Sequence, residues 1–486
     1  MDYLTLTIKE LHDLYVSGAT NPIEVVEQAI TKIESDDNNA LEAKMYESAR
    51  AFALELSKKP VEKDNLLWGI PYMIKDNLST MGVETTASSN ILKGYIPLYN
   101  AEVIERLNRK NAIPIGKTTL DELAMGGSGM TGHLGRTYNP HDKSKQHMVG
   151  GSSAGSASVV ACGLVPFALG SDTGDSVRKP ASYAGLVGFK PTWGRISRFG
   201  LAPFTPSLDA VGYFTRSVFD SALLLETLAG HDKKDFTSSP KAVEEYTQYN
   251  ASVKGVKIAL IKGISNKISN PRLQTRYDYT IEELRKRGAI VEYAEIKEEL
   301  LNALFSTYFV LSCAESTSNN ANLDGVKFGA RKEGKTYIDV IKNTRTKGFS
   351  ALIKRRFIIG SYSLKQENQE LLFRRAQKAR RLIVEAVNKV LDDYDFIYLP
   401  SSPSIAPKFD TKSDNLNIAH LVEDNHLVIG NLAGLPSITL PVCLDGGMPI
   451  GVNLTGRPFS ELDLFGVAQV LEDITGLKNL QVGGQK

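Results

Sequence analysis

Three short segments of the chain carry side chains that could together activate a hydroxyl group. The first, residues 69–77, reads Gly-Ile-Pro-Tyr-Met-Ile-Lys-Asp-Asn and places Lys75 at the end of an apolar stretch. Burial there would lower the pKa of the lysine amine, and a neutral amine can accept a proton from a serine. Because lysine is mostly exposed in proteins, this segment alone is more typical of a surface lysine at a strand end.

The second segment, residues 150–156, reads Gly-Gly-Ser-Ser-Ala-Gly-Ser. Its glycines would let the backbone approach a ligand, but a flexible loop has the same composition. A phosphate-binding loop is disfavoured because the Gly-Lys-Ser/Thr ending is absent. The pattern Gly-x-Ser-x-Gly also fits a nucleophile elbow centred on Ser153, which needs a later histidine and an acid. His231, His420 and His426 are present, and none of them lies in a distinctive context.

The third segment, residues 170–178, reads Gly-Ser-Asp-Thr-Gly-Asp-Ser-Val-Arg. A strand would run here into a turn and then into a helix. Such a turn can direct several backbone N–H groups at one point and form an oxyanion hole, although an ordinary polar loop has the same residue types. The three segments together are much more specific than any one of them alone.

Composition and charge exclude several classes of protein. The 486 residues are 42% hydrophobic and 23% charged, with 57 basic and 55 acidic side chains. The net charge of +2 is too small for a nucleic-acid footprint over the whole surface. Three widely spaced cysteines disfavour a disulfide framework or a zinc site and fit a reducing cytosol. Without a recognisable signal peptide or membrane span, we expect a cytoplasmic protein that does not contact membranes.

The elements that must position these segments alternate between strands and helices. Apolar runs predict early strands at residues 70–74, 112–117, 165–170, 257–261 and 289–293. Helical periodicity predicts helices between them, at residues 101–109, 156–162 and 272–287. This alternation argues for an α/β fold, with a large sheet covered by helices on both faces. Since no linker or repeat is evident, we predict one domain over residues 1–486.

The two ends of the chain have clear helix signals. The first ~60 residues look helical and should pack on the domain, with Thr7 and Glu10 as a capping box and Asn21 capping a second helix. A long, mostly polar helix is predicted over residues 364–391. Later strands are predicted at residues 396–399, 437–441 and 450–454, and Ser460 should cap a final helix that ends near residue 474.

Taken together, the three segments resemble the amidase signature family over nearly the whole chain, from Gly69 to Arg457. The resemblance implies a large, mixed and twisted sheet. It also implies a catalytic triad of Lys75, Ser152 and Ser176, in which Ser152 follows a cis peptide bond and relays protons between Ser176 and Lys75. The backbone N–H groups of the turn would form the oxyanion hole, from Thr173, Gly174, Asp175 and Ser176.

Within this family the chain is similar to the glutamine-hydrolysing subunits of tRNA-dependent amidotransferases. Further segments carry this similarity, at residues 121–128, 189–192, 194–200 and 430–436. Glutamine has an α-carboxylate and an α-ammonium group, so its pocket needs a cation and an anion. By resemblance, Arg356 would bind the carboxylate and Asp424 the ammonium group, with Tyr308 and Ser128 as further contacts.

The resemblance also implies partners. Ammonia released from glutamine would pass to a separate B subunit, which amidates Glu-tRNA(Gln), Asp-tRNA(Asn) or both and uses ATP and magnesium on its own chain. A small C subunit would join the two, and the misacylated tRNA would contact mainly the B subunit. This chain would need no metal and no organic cofactor.

Four departures from the family pattern leave other functions open. Asp175 replaces a glycine, Lys179 a glutamine and Ala154 a glycine, while Gly-Met-Thr-Gly at residues 129–132 replaces Thr-Glu-Thr-Ser. A carboxylate at 175 would oppose negative charge in the oxyanion hole, and Lys179 has the spacing to pair with it. The alternatives are therefore a stand-alone amidase for another small amide, and a catalytically silent structural subunit of the same complex.

Overall fold

A single mixed sheet runs through the protein in the computed structural model, which describes residues 1–409 and 426–482. Within these residues the sheet has eleven strands: β1 Leu41–Lys44, β2 Pro71–Lys75, β3 Ile113–Thr118, β4 Phe167–Asp172, β5 Val187–Lys190, β6 Ala210–Thr215, β7 Lys257–Ile261, β8 Ile290–Ala294, β9 Phe396–Pro400, β10 Ser437–Asp445 and β11 Met448–Gly456. Their spatial order is β1-β3-β2-β4-β6-β5-β10-β11-β9-β7-β8.

Strand directions confirm that the sheet is mixed. β2 runs parallel to β3 and β4, and β7 runs parallel to β8 and β9. The strands between these two groups are antiparallel, from β4–β6 through to β11–β9. β2 and β4 are adjacent and parallel, so their carboxyl ends meet at one edge, where Lys75 and Asp172 lie.

Helices cover both faces of the sheet. All residues of β2, β4, β5, β6, β9 and β11 are buried although successive side chains point to opposite faces. The helices are α1 Ile8–Ser17, α2 Pro22–Ser35, α3 Tyr46–Leu56, α4 Glu102–Arg109, α5 Ala154–Ala161, α6 Arg178–Ala184, α7 Val218–Leu228, α8 Lys262–Ser265, α9 Pro271–Lys286, α10 Glu298–Asn319, α11 Tyr337–Gly348, α12 Ala351–Leu364, α13 Gln366–Gln369, α14 Arg375–Asp393, α15 Ile429–Leu432 and α16 Glu461–Thr475.

The N-terminal segment differs in part from the prediction. Thr7 and Glu10 form the expected capping box, and Asn21 caps α2 through its side chain. The prediction of a wholly helical segment is wrong, because β1 pairs with β3 and becomes one edge of the sheet. The four residues of β1, Leu-Glu-Ala-Lys, favour a helix by their own propensity, so pairing with β3 overrides local preference.

Two predicted helices near the C-terminus are present but differ in detail. The helix predicted over residues 364–391 spans residues 366–393; it begins after a break at Lys365, whose backbone is extended, and it contains a π-helical turn at Glu370–Arg374. α12 and α14 both pack against α10, and the break lets the chain turn between them. Ser460 precedes α16 but does not cap it through its side chain, because its hydroxyl donates to the carbonyl of Arg457 at 2.8 Å.

Among residues 1–409 and 426–482, no helix combines the length and apolar character needed to cross a membrane.

Candidate active site

Lys75 is fully buried at the carboxyl end of β2. Its Nζ lies 2.8 Å from Ser152 Oγ, 2.9 Å from Ser153 Oγ and 2.9 Å from Ser171 Oγ. No carboxylate makes a hydrogen bond to this amine among the described residues. Lys75 is therefore not a surface lysine. Hydroxyl groups enclose its amine, at the position where the sequence predicts the chemistry.

The loop that carries Ser152 is held against the sheet by a buried carboxylate. Asp121 accepts hydrogen bonds from four successive backbone N–H groups, at residues 128–131. Gly151 donates to the carbonyl of Gly127 at 3.0 Å, and a Cβ on Gly151 would lie 2.0 Å from Asp121 Oδ2. The Gly151–Ser152 peptide bond is cis, as the resemblance implied. Asp121 thus fixes the Ser128 loop, and that loop fixes Ser152.

The turn that carries Ser176 is closed by a second buried acid. Asp172 Oδ2 accepts from the N–H of Val177 at 2.9 Å, and Oδ1 lies 3.0 Å from Arg178 Nη2. Asn431 donates to Asp172 Oδ1 at 2.9 Å and accepts from Arg178 at 2.6 Å. The side chains of Asp172, Arg178 and Asn431 are all buried. These contacts fold residues 172–178 back on themselves and direct the turn toward Lys75.

The two serine segments meet through the backbone. Ser153 N donates to the carbonyl of Ser176 at 3.2 Å, and Ser176 is only 5% exposed. Within the described part of the chain, the N–H groups of Gly174 and Ser176 have no hydrogen-bond acceptor. Thr173 is held by its side chain, which donates to Asp209 Oδ1 at 2.7 Å. The turn therefore presents backbone donors suited to an oxyanion.

Hydrogen bonds around Lys75 determine how a neutral amine would be oriented. Ser153 Oγ donates its own hydrogen to the carbonyl of Ser171 at 3.1 Å, so toward Lys75 it can only accept. Ser171 Oγ accepts from Asn77 Nδ2 at 2.9 Å and is the second neighbour available to accept from the amine. When the two N–H groups of a neutral amine go to Ser153 and Ser171, its lone pair remains for the hydroxyl of Ser152.

Burial lowers the pKa of the Lys75 amine from its usual value of 10.5 to about 7, while the carboxylates of Asp121, Asp172 and Asp209 oppose the change. Desolvation disfavours the charged form of an amine, and this effect is the larger one here. A substantial fraction of the amine is therefore neutral at physiological pH, as a general base requires.

We expect kcat/KM for amide hydrolysis to rise with pH through about 7 and then level off. Lys75 must be neutral to accept a proton, and below its pKa of about 7 the charged fraction grows. The rate should fall about tenfold for each pH unit below that value. Initial rates of ammonia release, measured from about pH 5 to about pH 9, test this. A flat profile, or a rise only near the ordinary lysine pKa, would contradict a buried neutral base.

Two of the four predicted substrate contacts lie next to the turn. The Tyr308 ring packs on Gly174, where an added Cβ would meet the ring at 3.0 Å. Arg356 is 3% exposed, and its Nε and Nη1 have no hydrogen-bond partner among the described residues. Burial raises the pKa of Tyr308. The Arg356 guanidinium opposes this rise, and the Asp175 carboxylate adds to it, so both charges lie close to the Tyr308 hydroxyl.

The other two substrate predictions have different outcomes. Ser128 contributes its backbone N–H to Asp121 at 3.0 Å and belongs to the loop behind Ser152, and its contact with the substrate stays a prediction. Asp424 lies outside the described residues.

Arg356 packs between the rings of Phe309 and Phe204, at 5.1 and 5.7 Å from their centroids, and so presents two free nitrogen donors in an apolar wall.

Two departures from the family pattern contact each other. Gly129 has a φ of +76°, and a Cβ added to it would lie 2.8 Å from the Cβ of Ala154. The methyl group of Ala154 thus occupies space that a side chain at position 129 would need. The other two departures lie on either side of the start of α6, where Lys179 N donates to the carbonyl of Asp175 at 2.8 Å. Pairing of their side chains stays a prediction.

Gly129→Ala is expected to destabilise the protein more than Gly82→Ala does. Both glycines have a φ near +75°, but Gly82 has no atom within 4 Å of its added Cβ. The left-handed backbone lowers the free energy of unfolding of both variants by about 1–2 kcal/mol. Only Gly129→Ala adds a steric overlap beside Ser152. Melting temperatures of the two variants test this, and the double change Gly129→Ala with Ala154→Gly should recover part of the loss. Equal melting temperatures for the two single variants would contradict it.

Sequence reasoning missed the groups that support the site. Asn77, Asp121, Ser171 and Asp172 had no assigned role, although each lies inside one of the motif segments. A signal was available for Asp172, since an acid at the end of a buried strand needs a cationic partner and Arg178 follows six residues later. The partners of Asn77 and Ser171 depend on how β2 and β4 pair, which the sequence does not display.

Comparisons with known proteins show what the chain is similar to over most of its length. The Amidase family profile matches residues 24–465. The A subunit of glutamyl-tRNA(Gln) amidotransferase from Latilactobacillus sakei subsp. sakei (strain 23K) is 37% identical over 479 residues, covering 98% of this chain and 97% of that protein. Its counterpart from Streptococcus pneumoniae (strain ATCC 700669 / Spain 23F-1) is 38% identical over 485 residues, covering 99% and 98%. The crystal structure of the A subunit from Thermotoga maritima has a TM-score of 0.78 at 33% identity, covering 97% and 95%.

Proposed function

The chain belongs to the amidase family, and we propose that it hydrolyses glutamine as the A subunit of a glutamyl-tRNA(Gln) amidotransferase. The observation that carries this proposal is the buried Lys75 amine, 2.8 Å from Ser152 Oγ and joined through the Ser153 backbone to the turn of Ser176. Relatives with that name match nearly the full length of the chain, which supports the same role here.

The first half of the proposed reaction forms a glutamyl-enzyme. Ser176 Oγ attacks the side-chain carbonyl carbon of glutamine, and its proton passes to Ser152, which passes its own proton to Lys75. The carbonyl oxygen becomes an oxyanion held by the backbone N–H groups of residues 173–176, where one essential donor commonly contributes about 3–4 kcal/mol. When the intermediate collapses, the C–N bond breaks and the relay returns a proton to the leaving ammonia.

The second half releases glutamate. Water attacks the glutamyl ester while the same relay removes its proton, and Ser176 leaves with a proton returned from Lys75 through Ser152. All groups required for these steps are side chains and backbone amides of this chain. The scheme therefore proposes no metal or organic cofactor for the chain itself.

Substrate choice would depend on Arg356. A buried guanidinium with no acidic partner among the described residues is costly unless a ligand supplies an anion. The α-carboxylate of glutamine can satisfy it in a bidentate manner, and Tyr308 lies between Arg356 and the turn. Asp424 stays the proposed partner of the α-ammonium group. A simple fatty or aryl amide would leave the guanidinium without an anion, which disfavours a stand-alone amidase of that kind.

Arg356→Met is expected to lower kcat/KM for glutamine by about 30-fold or more, because truncating one partner of a buried charge pair costs about 2–5 kcal/mol. Hydrolysis of propionamide, which has no carboxylate, should change little. Lys354→Met is the matched control, since its amine donates to the carbonyl of Thr346 at the surface. Equal losses for glutamine and propionamide would indicate a structural role for Arg356.

The remaining partners follow from the same proposal. Ammonia would pass to a B subunit, held to this chain by a C subunit, and the B subunit would use ATP and magnesium to amidate misacylated tRNA. We propose Glu-tRNA(Gln) as the ammonia acceptor, because the relatives are named for it. Asp-tRNA(Asn) is a further acceptor to be tested. The reaction would take place in the cytoplasm.

Ammonia release from glutamine by the purified complex, with and without charged tRNA, tests the function directly. We expect release from glutamine at a much higher rate than from propionamide. Equal rates on the two amides would favour a stand-alone amidase. No release from either amide would favour the silent structural subunit, with Asp175 beside the oxyanion turn as the reason.

A further inference from the structure

A strongly basic surface lies on a part of the chain outside the three segments that carry Lys75, Ser152 and Ser176. It is formed by residues 326–347, which we name the basic segment. Seven basic side chains and two acidic ones fall in these residues, so the basic segment has a net charge of +5 while the whole chain has +2. The even charge balance of the chain therefore conceals one local excess of positive charge.

The loop and the helix of the basic segment form one surface. α11 begins after Thr336, whose side chain and that of Asp339 make a capping box. The preceding loop folds back on this helix, because Lys332 N donates to Thr344 Oγ1 at 3.0 Å and Asn343 Nδ2 donates to the carbonyl of Glu333 at 2.7 Å. Cations from the loop and from the helix are therefore neighbours in space as well as in sequence.

Six of the seven cations are exposed and pair with no acid among the described residues: Lys327, Arg331, Lys332, Lys335, Lys342 and Lys347. The seventh, Arg345, is used internally and donates to the carbonyls of Asn320 and Leu323. The polar face of α14 is different, since its Lys378 and Arg381 pair with nearby glutamates. A surface that keeps six cations unpaired is suited to a polyanion.

We propose that the basic segment binds the phosphate backbone of RNA. This inference rests on the proposed function, which brings a charged tRNA to the complex. Lysine and arginine side chains that neutralise phosphates supply most of the affinity for nucleic acid. The exposed Tyr337, 62% accessible at the start of α11, offers in addition a ring on which a base can stack. The cations and the ring together fit a polyanion that carries aromatic bases.

The test is tRNA binding by the full chain at several salt concentrations. Unfractionated, fluorescently labelled tRNA is titrated with wild type and with the fourfold variant Lys332→Gln, Lys335→Gln, Lys342→Gln, Lys347→Gln. We expect the variant to bind about tenfold more weakly or worse, and its log–log salt slope to be smaller by up to about 4, roughly one for each phosphate that is no longer neutralised. Tyr337→Ala should weaken binding and leave the salt slope unchanged.

The matched control removes the same number of lysines elsewhere: Lys58→Gln, Lys63→Gln, Lys254→Gln, Lys297→Gln. These lysines are also exposed and unpaired among the described residues. Equal tRNA affinity for the two fourfold variants would overturn the proposal, and so would binding of polyglutamate as tight as that of tRNA. Melting temperature and glutamine hydrolysis without tRNA should be unchanged in both variants, so failure of RNA binding is distinguishable from failure of the proposed function.

Discussion

Ser176→Ala is expected to lower kcat for glutamine hydrolysis by about 10⁴-fold or more, because no hydroxyl remains to form the glutamyl-enzyme. The loss should be accompanied by little change in melting temperature, since no side-chain hydrogen bond of Ser176 stabilises the described residues. Ammonia release under saturating glutamine is the measurement. This variant also separates the proposed enzyme from a silent subunit. If the chain were silent, the wild-type protein and the Ser176→Ala variant would release equal amounts of ammonia.

Ser221→Ala is the matched control for this variant. Ser221 is buried on α7, and its Oγ has no hydrogen-bond partner among the described residues. The change should leave kcat within about twofold of wild type, as for most substitutions that touch no special feature. A Ser176→Ala enzyme that keeps most of its activity would assign the nucleophile elsewhere, and Ser153 would then be the first residue to test.

Lys75→Met is expected to lower kcat by about 10²–10⁴-fold, because it removes the general base while it keeps the length of the buried side chain. The rise in rate through about pH 7 should disappear with the amine that causes it. The full pH profile of the variant therefore separates loss of a base from a general loss of structure. A variant that is slow but keeps this rise would contradict the assignment of Lys75.

Lys190→Met is the control for removal of a buried lysine. Lys190 is also buried, and burial with the nearby Arg178 lowers the pKa of its amine to about 7. Its Nζ, however, donates to the carbonyls of Pro191 and Leu435 and has no contact with the serines. The control variant should lose stability, because two buried carbonyls lose their donor, and it should retain the pH profile of the wild type.

That the residues of the proposed triad come from short, dense motifs made them easy to select from the sequence. Lys75, Ser152 and the turn of Ser176 come from three segments that are each ambiguous, and the structure brings these segments to one edge of the sheet. Of the eight predicted strands, seven lie within two residues of the observed bounds, since buried strands have a distinct apolar pattern, whereas β5 and β6 were not predicted. Arg356 and Tyr308 came only from resemblance to a family, because nothing in a Lys-Arg-Arg run shows which cation will be buried.

What the sequence could not display was how distant segments pair. β1 is short and without strand propensity, and it exists because β3 offers an unpaired edge. The helix predicted from residue 364 begins only at residue 366, after the extended Lys365, where the chain turns between α12 and α14 as both pack on α10. Asn77 and Ser171 become neighbours of Lys75 through the pairing of β2 with β4. In each case a long-range contact outweighs a local preference of a few tenths of a kcal/mol.

In the proposed mechanism, Ser176 carries the acyl group while Lys75, through Ser152, moves the protons. Acid quenching of the wild-type protein during turnover of glutamine, followed by mass mapping of its peptides, tests this claim most directly. We predict a glutamyl ester on the peptide that contains Ser176, and no such ester in Ser176→Ala. A glutamyl ester on Ser153, or on any residue in the Ser176→Ala protein, would contradict the account.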